Sequence, residues 1–417
     1  MPLRRCCVAS CSSTKLEGVV LHYFPNPMAY PERFKTWVTN AGLNGESEEH
    51  VHKKRRICDI HFEDIYRYPN NRLNRLAIPT LHLPGAALDM AEHIHLDSFR
   101  PLSTGPSPVN MEEFNVAFTA RGLMPPVFTP LNHDHTINLA PIPGYAKFLA
   151  DAGIKSVLVG GTTGEHMTLG VSDRKKVIAE WVSVGKRTGL HVMVQVGGAP
   201  FRDVIELTKF CSQAGVDSLL TLPELYFKPT TVDALVSYVE LVAGAAPNLP
   251  VLYYHIPSNT KVEINMPAFV GAASARIPNF KGIKFTSNDL SEGAQVLRSL
   301  TGDQEMFLGA DTLLAPGALL GIKSSIGTSY NLFPKLAQDI LCAVASGDVQ
   351  LARILQEKLS LAIEAHTVEG PWVPVMKAGM EIVTGIKVGP PGLPQDELSS
   401  VAKQRIAGKL KALKLID

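Results

Sequence analysis

Residues Tyr253–Ser258 read YYHIPS and residues Lys281–Asn288 read KGIKFTSN, so Tyr254 stands 30 positions ahead of Lys284, about one strand–helix unit away. With the two-residue period of a strand, Phe280, Gly282 and Lys284 fall on one face and Lys281, Ile283 and Phe285 on the other. A lysine at the carboxyl end of a buried strand is unusual. Taking an ammonium out of water is costly, which favours the neutral amine, a nucleophile toward a carbonyl carbon. Tyr254, at the matching end of the preceding strand, is placed to move a proton beside it. A strand-end lysine can also simply snorkel to solvent, so the pair gains its meaning from a third motif.

That motif is GGTTGEHMTL, Gly160–Leu169, which follows the apolar run SVLV and precedes a helical stretch beginning near Ser172. Small residues and two hydroxyls at a strand end leave backbone N–H groups and side-chain donors open to a small anion, and a carboxylate fits. A glycine-rich turn alone carries no chemistry. The three motifs in this order predict a lyase that works through a lysine Schiff base.

The chain has 417 residues, is 45% apolar and has a formal net charge of +1, enough for a large core and two or three domains. The balance is uneven. Residues 1–84 carry 12 Lys/Arg against 8 Asp/Glu, and the remainder 28 against 31. A nucleic-acid partner is therefore expected only at the amino end. No apolar run is long enough to span a bilayer, and MPLRRCCVASCSS lacks the apolar core of a signal peptide. The expected location is cytoplasmic, with a nuclear one compatible, and no membrane partner is expected.

Cys6, Cys7, Cys11 and Cys58 cluster in the first segment, whereas the rest of the chain holds only Cys211 and Cys342. Four residues separate Cys6 from Cys11 and two separate Cys58 from His61, giving two short chelating pairs for one tetrahedral zinc. Cys7 could replace Cys6. Around these pairs lie HYFP (His22–Pro25), the helical stretch YPERFKTWVTNAG with Trp37, HF (His61–Phe62) and AIPT (Ala77–Thr80). Residues 1–84 resemble a THAP domain, a small β-α-β zinc module that places a short sheet in the DNA major groove. The resemblance implies Cys6, Cys11, Cys58 and His61 as zinc ligands and Pro25, Trp37, Phe62 and Pro79 as the core. KKRR at Lys53–Arg56 reads equally well as a solvated loop or a phosphate contact. Arg72 and Arg75 fall where the family places its minor-groove loop and are the candidate DNA contacts.

Residues 85–121, including STGPSPVN, read as a linker. From Gly122 to Asn331, eight apolar strand-like runs alternate with helices: GLMPPVFT, SVLVG, HVMVQVG, SLLTL, VLYYH, FKGIKF, EMFLG and SSIG. Eight βα units predict an α/β fold, a (β/α)8 TIM barrel, with residues 332–417 forming a helical extension. Barrel strands are buried on both sides, and active sites collect at their carboxyl ends, where all three motifs fall.

GTTGE, YYHIPS, GIKF and GPPGLP (Gly389–Pro394) together resemble the N-acetylneuraminate lyase branch of the dihydrodipicolinate synthase-like class I aldolases, over residues 120–417. The resemblance implies a homotetramer that cleaves sialic acid to N-acetylmannosamine and pyruvate without a metal. It implies Lys284 as the Schiff-base lysine, Tyr254 as the proton carrier, Thr162 and Thr163 as carboxylate ligands and Ile326 against the pyruvate. Thr286, Gly309, Asp311, Thr312 and Thr328 would meet the sugar. One position departs, because sialic-acid cleavers carry Asp-Glu where this chain has Asp311-Thr312. That departure leaves open another pyruvate-dependent aldolase, of dihydrodipicolinate synthase or keto-deoxy sugar acid type. A different class of reading makes the chain a DNA-binding protein that uses its barrel for oligomerisation, with the retention of Lys284, Tyr254 and Thr163 against it.

Overall fold

The computed structural model describes residues 6–8, 11, 20–28, 30–58, 61, 79 and 116–417. Two compact units divide the chain, Met1–Gly105 and Pro106–Asp417. Arg72, Arg75, Phe62 and the expected linker as far as residue 115 lie outside the described residues.

In the first unit, β1 (Leu21–Tyr23) pairs antiparallel with β2 (Arg56–Cys58), and α1 (Pro31–Asn40) and α2 (Glu48–Lys54) lie between them in sequence. Ser47 caps α2 by accepting from the His50 N–H, and Glu48 and Glu49 sit in the first turn, where the helix dipole favours acids. The core is built on Phe24, Phe34, Trp37, Val51 and Ile57, with Phe24 edge-on to Trp37 at 5.6 Å. Pro25, expected in this core, is only half-buried, whereas its neighbour Phe24 is buried. Pro79 is buried and its carbonyl accepts from Asn40 Nδ2 at 2.8 Å.

The second unit contains α3 (Ile142–Asp151), β3 (Ser156–Val159), α4 (Val171–Thr188), β4 (His191–Gln195), α5 (Phe201–Ala214), β5 (Ser218–Thr221), α6 (Val232–Gly244) and β6 (Val251–His255). It continues through α7 (Pro257–Thr260), α8 (Met266–Arg276), β7 (Phe280–Phe285), α9 (Leu290–Ser299), β8 (Glu305–Leu308), α10 (Leu314–Leu319) and β9 (Ser324–Ser325). Four helices follow, α11 (Pro334–Ala345), α12 (Val349–Thr367), α13 (Trp372–Thr384) and α14 (Ser400–Ala412). Strands β3 to β9 are parallel neighbours in sequence order. GLMPPVFT closes the ring by bridging Leu123 to Ser325 and Pro126 to Leu158. Pro125 and Pro126 have no N–H to donate, so this staves as two bridges where a continuous strand was expected.

Strand alternation divides the apolar side chains. Leu158, Met193, Leu220, Leu252, Tyr254 and Phe307 fill the barrel, while Val157, Val194, Leu219, Val251, Tyr253 and Ile283 pack outward with the helices. Each such burial contributes about 1.5–3 kcal/mol. Phe118 enters the same interior cluster, with ring centroids 6.0 Å from His191 and 6.2 Å from Phe307, and its N–H reaches Asp303 at 2.9 Å. The segment expected to be linker up to residue 121 is therefore partly barrel, because an aromatic ring fills the floor.

Strand β7 departs from simple alternation. Val251 pairs with Phe280 but Leu252 pairs with Gly282, so Lys281 is an inserted residue. Phe280 consequently turns outward onto Phe269, at 5.8 Å, and does not share a face with Lys284 as its position in sequence had implied. Lys281 is taken up by Asp303, at 2.7 Å. Gly282 sits at φ +130°, where an added Cβ would lie 1.9 Å from the Glu305 carbonyl oxygen, so only glycine serves. Among the described residues, no helix is long and apolar enough to cross a membrane.

Candidate active site and metal centre

A cavity of about 620 Å³ opens at the carboxyl ends of the strands. Lys284, Tyr254, Thr162, Thr163, Thr286, Gly309, Asp311, Thr312, Ile326 and Thr328 all line it, so every candidate read from the barrel sequence converges on one site. Lys284 is 4% exposed, and its Nζ stands 4.1 Å from the centroid of the Tyr254 ring. The Tyr254 hydroxyl lies 3.2 Å from Thr162 Oγ1. Thr163 Oγ1 lies 2.7 Å from Thr328 Oγ1, which accepts from Trp372 Nε1 at 3.3 Å.

The sugar-side candidates differ in what they can offer. Thr286 Oγ1 is buried without a hydrogen-bond partner, and Gly309 makes its room, since a Cβ there would come within 1.9 Å of it. Thr312 is exposed at the rim. One oxygen of Asp311 is engaged within the fold: its Oδ2 accepts from the Ser329 N–H at 2.7 Å and the Ser329 hydroxyl at 2.6 Å. Burial raises its pKa, partly offset by those two hydrogen bonds and by Lys284. It fixes the turn that carries Ile326 and Thr328.

Further groups reach this site from the helical extension, which its reading as helix alone does not reveal. Trp372 and Gln395 line the cavity, and Lys377 meets Glu165 at 2.7 Å with both side chains buried. Glu165 also accepts from the Gly392 N–H at 2.6 Å and Gln395 Nε2 at 2.9 Å, while Lys377 donates to the Pro390 carbonyl at 2.7 Å. GTTGE and GPPGLP are thus two halves of one contact. Glu165 has φ +55°, a conformation that costs a non-glycine residue about 1–3 kcal/mol and persists only where its surroundings enforce it. Burial lowers the pKa of Lys377, and the Glu165 carboxylate opposes that shift. The expected result for Lys377→Met is a loss of about 3–5 kcal/mol in chemical denaturation, because Glu165 is left buried without its cation. Adding Glu165→Gln to it should recover part of that loss.

In the first unit, Cys6, Cys11, Cys58 and His61 bring their donor atoms within 4.8 Å of one another. Cys11 Sγ lies 3.5 Å from Cys58 Sγ, and the Cys58 N–H reaches Cys6 Sγ at 3.3 Å. Three thiols and an imidazole this close suit a cation with ligands at about 2.0–2.3 Å. The hydrogen bond between Cys6 and Cys58 lowers the pKa of Cys6 and raises that of Cys58. Cys7 is not in the cluster; burial pushes its thiol up to about 12, and its N–H is spent on the Arg56 carbonyl at 2.8 Å. KKRR is partly structural, with Arg55 paired to Glu46 at 2.5 Å and the Arg56 guanidinium 3.3 Å from the Tyr23 ring centroid.

Both units resemble known families. The dihydrodipicolinate synthetase family model matches residues 119–413, and the THAP domain model matches residues 6–82. The N-acetylneuraminate lyase of Homo sapiens is 33% identical over 299 residues, 71% of this chain and 93% of that protein. The solved N-acetylneuraminate lyase of Proteus mirabilis superposes with a TM-score of 0.68 at 30% identity, covering 71% of this chain and 99% of that one. The lyase of Aliivibrio salmonicida gives the same TM-score at 31% identity, over 72% and 98%. The chain belongs to the dihydrodipicolinate synthetase family through its barrel, with N-acetylneuraminate lyases among its relatives, and carries a THAP domain at its amino end.

Proposed function

We propose that the barrel is an imine-forming lyase that cleaves N-acetylneuraminate to N-acetylmannosamine and pyruvate. The observation that carries this reading is the placement of the Lys284 amine against Tyr254, in a cavity that two threonine hydroxyls also line. The neutral amine adds to the C2 ketone and water leaves, giving a protonated imine. Tyr254 takes the proton of the C4 hydroxyl as the C3–C4 bond breaks, and Thr162, 3.2 Å away, can relay the phenol's own proton. The bond's electron pair flows into the iminium nitrogen, leaving an enamine. Protonation at C3 and hydrolysis release pyruvate and free Lys284. Thr162 and Thr163 hold the carboxylate, Ile326 packs on the pyruvate methyl, and Thr286, Gly309, Asp311, Thr312 and Thr328 face the sugar. We further propose a homotetramer, with a cytoplasmic location and a nuclear one open through the amino-terminal module.

Pyruvate release from sialic acid should be reduced to background by Lys284→Ala and by at least about 100-fold by Tyr254→Phe. The exposed Thr312 favours a second reading, a keto-deoxy sugar acid or other pyruvate-dependent aldolase, because no carboxylate stands there to grip a glycerol tail. A panel of 2-keto acids decides between them. Sialic acid turning over best, and improving in KM with Thr312→Glu, supports the first reading; a shorter keto acid turning over far better supports the second.

For the amino-terminal unit we propose a structural zinc on Cys6, Cys11, Cys58 and His61 and DNA binding that includes Arg72 and Arg75. The four-donor cluster supports this. Folding and metal binding should be one event. The full chain should bind one zinc, lose it with Cys58→Ser, and then lose DNA binding while pyruvate release is unchanged. Arg72→Ala with Arg75→Ala should reduce the slope of log affinity against log salt by about 2. Stoichiometric zinc with no salt-dependent DNA affinity would make the module a protein-binding appendage.

A further inference from the structure

We propose that Trp372 is a positioning residue for the carboxylate of the substrate, acting through a chain of hydroxyls, Trp372–Thr328–Thr163. The inference rests on the lyase reading above and adds to it the residue that sets the direction of the hydroxyl protons. An indole N–H can only donate. At 3.3 Å it commits one lone pair of Thr328 Oγ1, and the hydroxyl partner within reach of that oxygen is Thr163 Oγ1, at 2.7 Å. A hydroxyl that accepts becomes a better donor, so Thr328 gives its proton to Thr163. The Thr163 oxygen is then an acceptor on its buried side, and its own proton is left to point into the cavity. That is the polarity an anion needs.

The alternative polarity, with Thr163 donating to Thr328, would turn an oxygen lone pair toward the carboxylate and repel it. Both threonines are buried, Thr163 3% and Thr328 5% exposed, so water is poorly placed to reverse the order. Trp372 opens α13, and Val373 beside it also lines the cavity, whereas Lys377 on the same helix holds Glu165 of the turn that carries Thr163. One helix outside the eightfold repeat thus fixes that turn by an ion pair and orients its hydroxyl by an N–H.

The test is the pyruvate concentration that gives half-maximal borohydride trapping on the full-length protein, measured alongside the maximal trapping rate. Trp372→Phe keeps a ring and removes the N–H. It should raise the half-saturating pyruvate concentration about tenfold, the worth of one hydrogen bond to a charged group, while the maximal rate changes little. Thr328→Val should do the same and Thr328→Ser should not. The double variant Trp372→Phe with Thr328→Val should be no worse than Thr328→Val alone. With methyl pyruvate, which has no carboxylate charge, the effect of Trp372→Phe should largely vanish. An unchanged half-saturation in Trp372→Phe, additive effects in the double variant, or an equal loss with methyl pyruvate would each overturn the relay. If Trp372→Phe does not fold, Thr328→Val against Thr328→Ser reads the same chain, and equal behaviour of the two overturns it. No trapping in the unaltered protein would instead overturn the lyase reading, and the relay with it.

Discussion

Lys281 is the extra residue in β7, and the register it sets carries Lys284 into the mouth of the barrel. Without the insertion, a strict two-residue period would place Phe280 on the same face as Lys284. The bulge turns Phe280 out to Phe269 and hands Lys281 to Asp303. Two buried lysines three residues apart therefore have separate duties. One is paired with a carboxylate; the other lies against a tyrosine ring in the cavity.

A second constraint comes from outside the repeat. The turn after β3 holds Glu165 in a left-handed conformation, and α13 with the segment 389–395 enforces it through Lys377, Gly392 and Gln395. The cost of desolvating that ion pair is tolerable because every charged atom finds a partner. A barrel of eight βα units alone would leave this turn unbraced. The helical extension is thus part of the site, and the cavity wall includes Trp372 and Gln395 for the same reason.

Much of this was legible in the sequence. Continuous apolar strands separated by helices give the barrel, and residues at strand ends give the site, because parallel barrel strands deliver their carboxyl ends to one face. Lys284, Tyr254, Thr162 and Thr163 could be found that way. Trp372 and Lys377 could not, since an amphipathic helix shows which face is apolar without showing which polar side chain meets a distant turn. GPPGLP was visible as a motif, but its partner Glu165 became apparent only in three dimensions. The bulge at Lys281 was also hidden: FKGIKF obeys alternation as a string, and the glycine that marks the irregularity has several other readings. In the first unit, cysteine spacing left Cys6 and Cys7 open, and only the backbone's turn of one thiol inward separates them.

In the proposed mechanism this register makes Lys284 the amine that bonds to the keto acid. Peptide mapping by mass spectrometry, after borohydride reduction in the presence of pyruvate, addresses it directly. The expected product is a single reduced adduct on Lys284, with Lys281 and Lys377 unmodified. An adduct on either of those lysines, or none at any lysine, would contradict it.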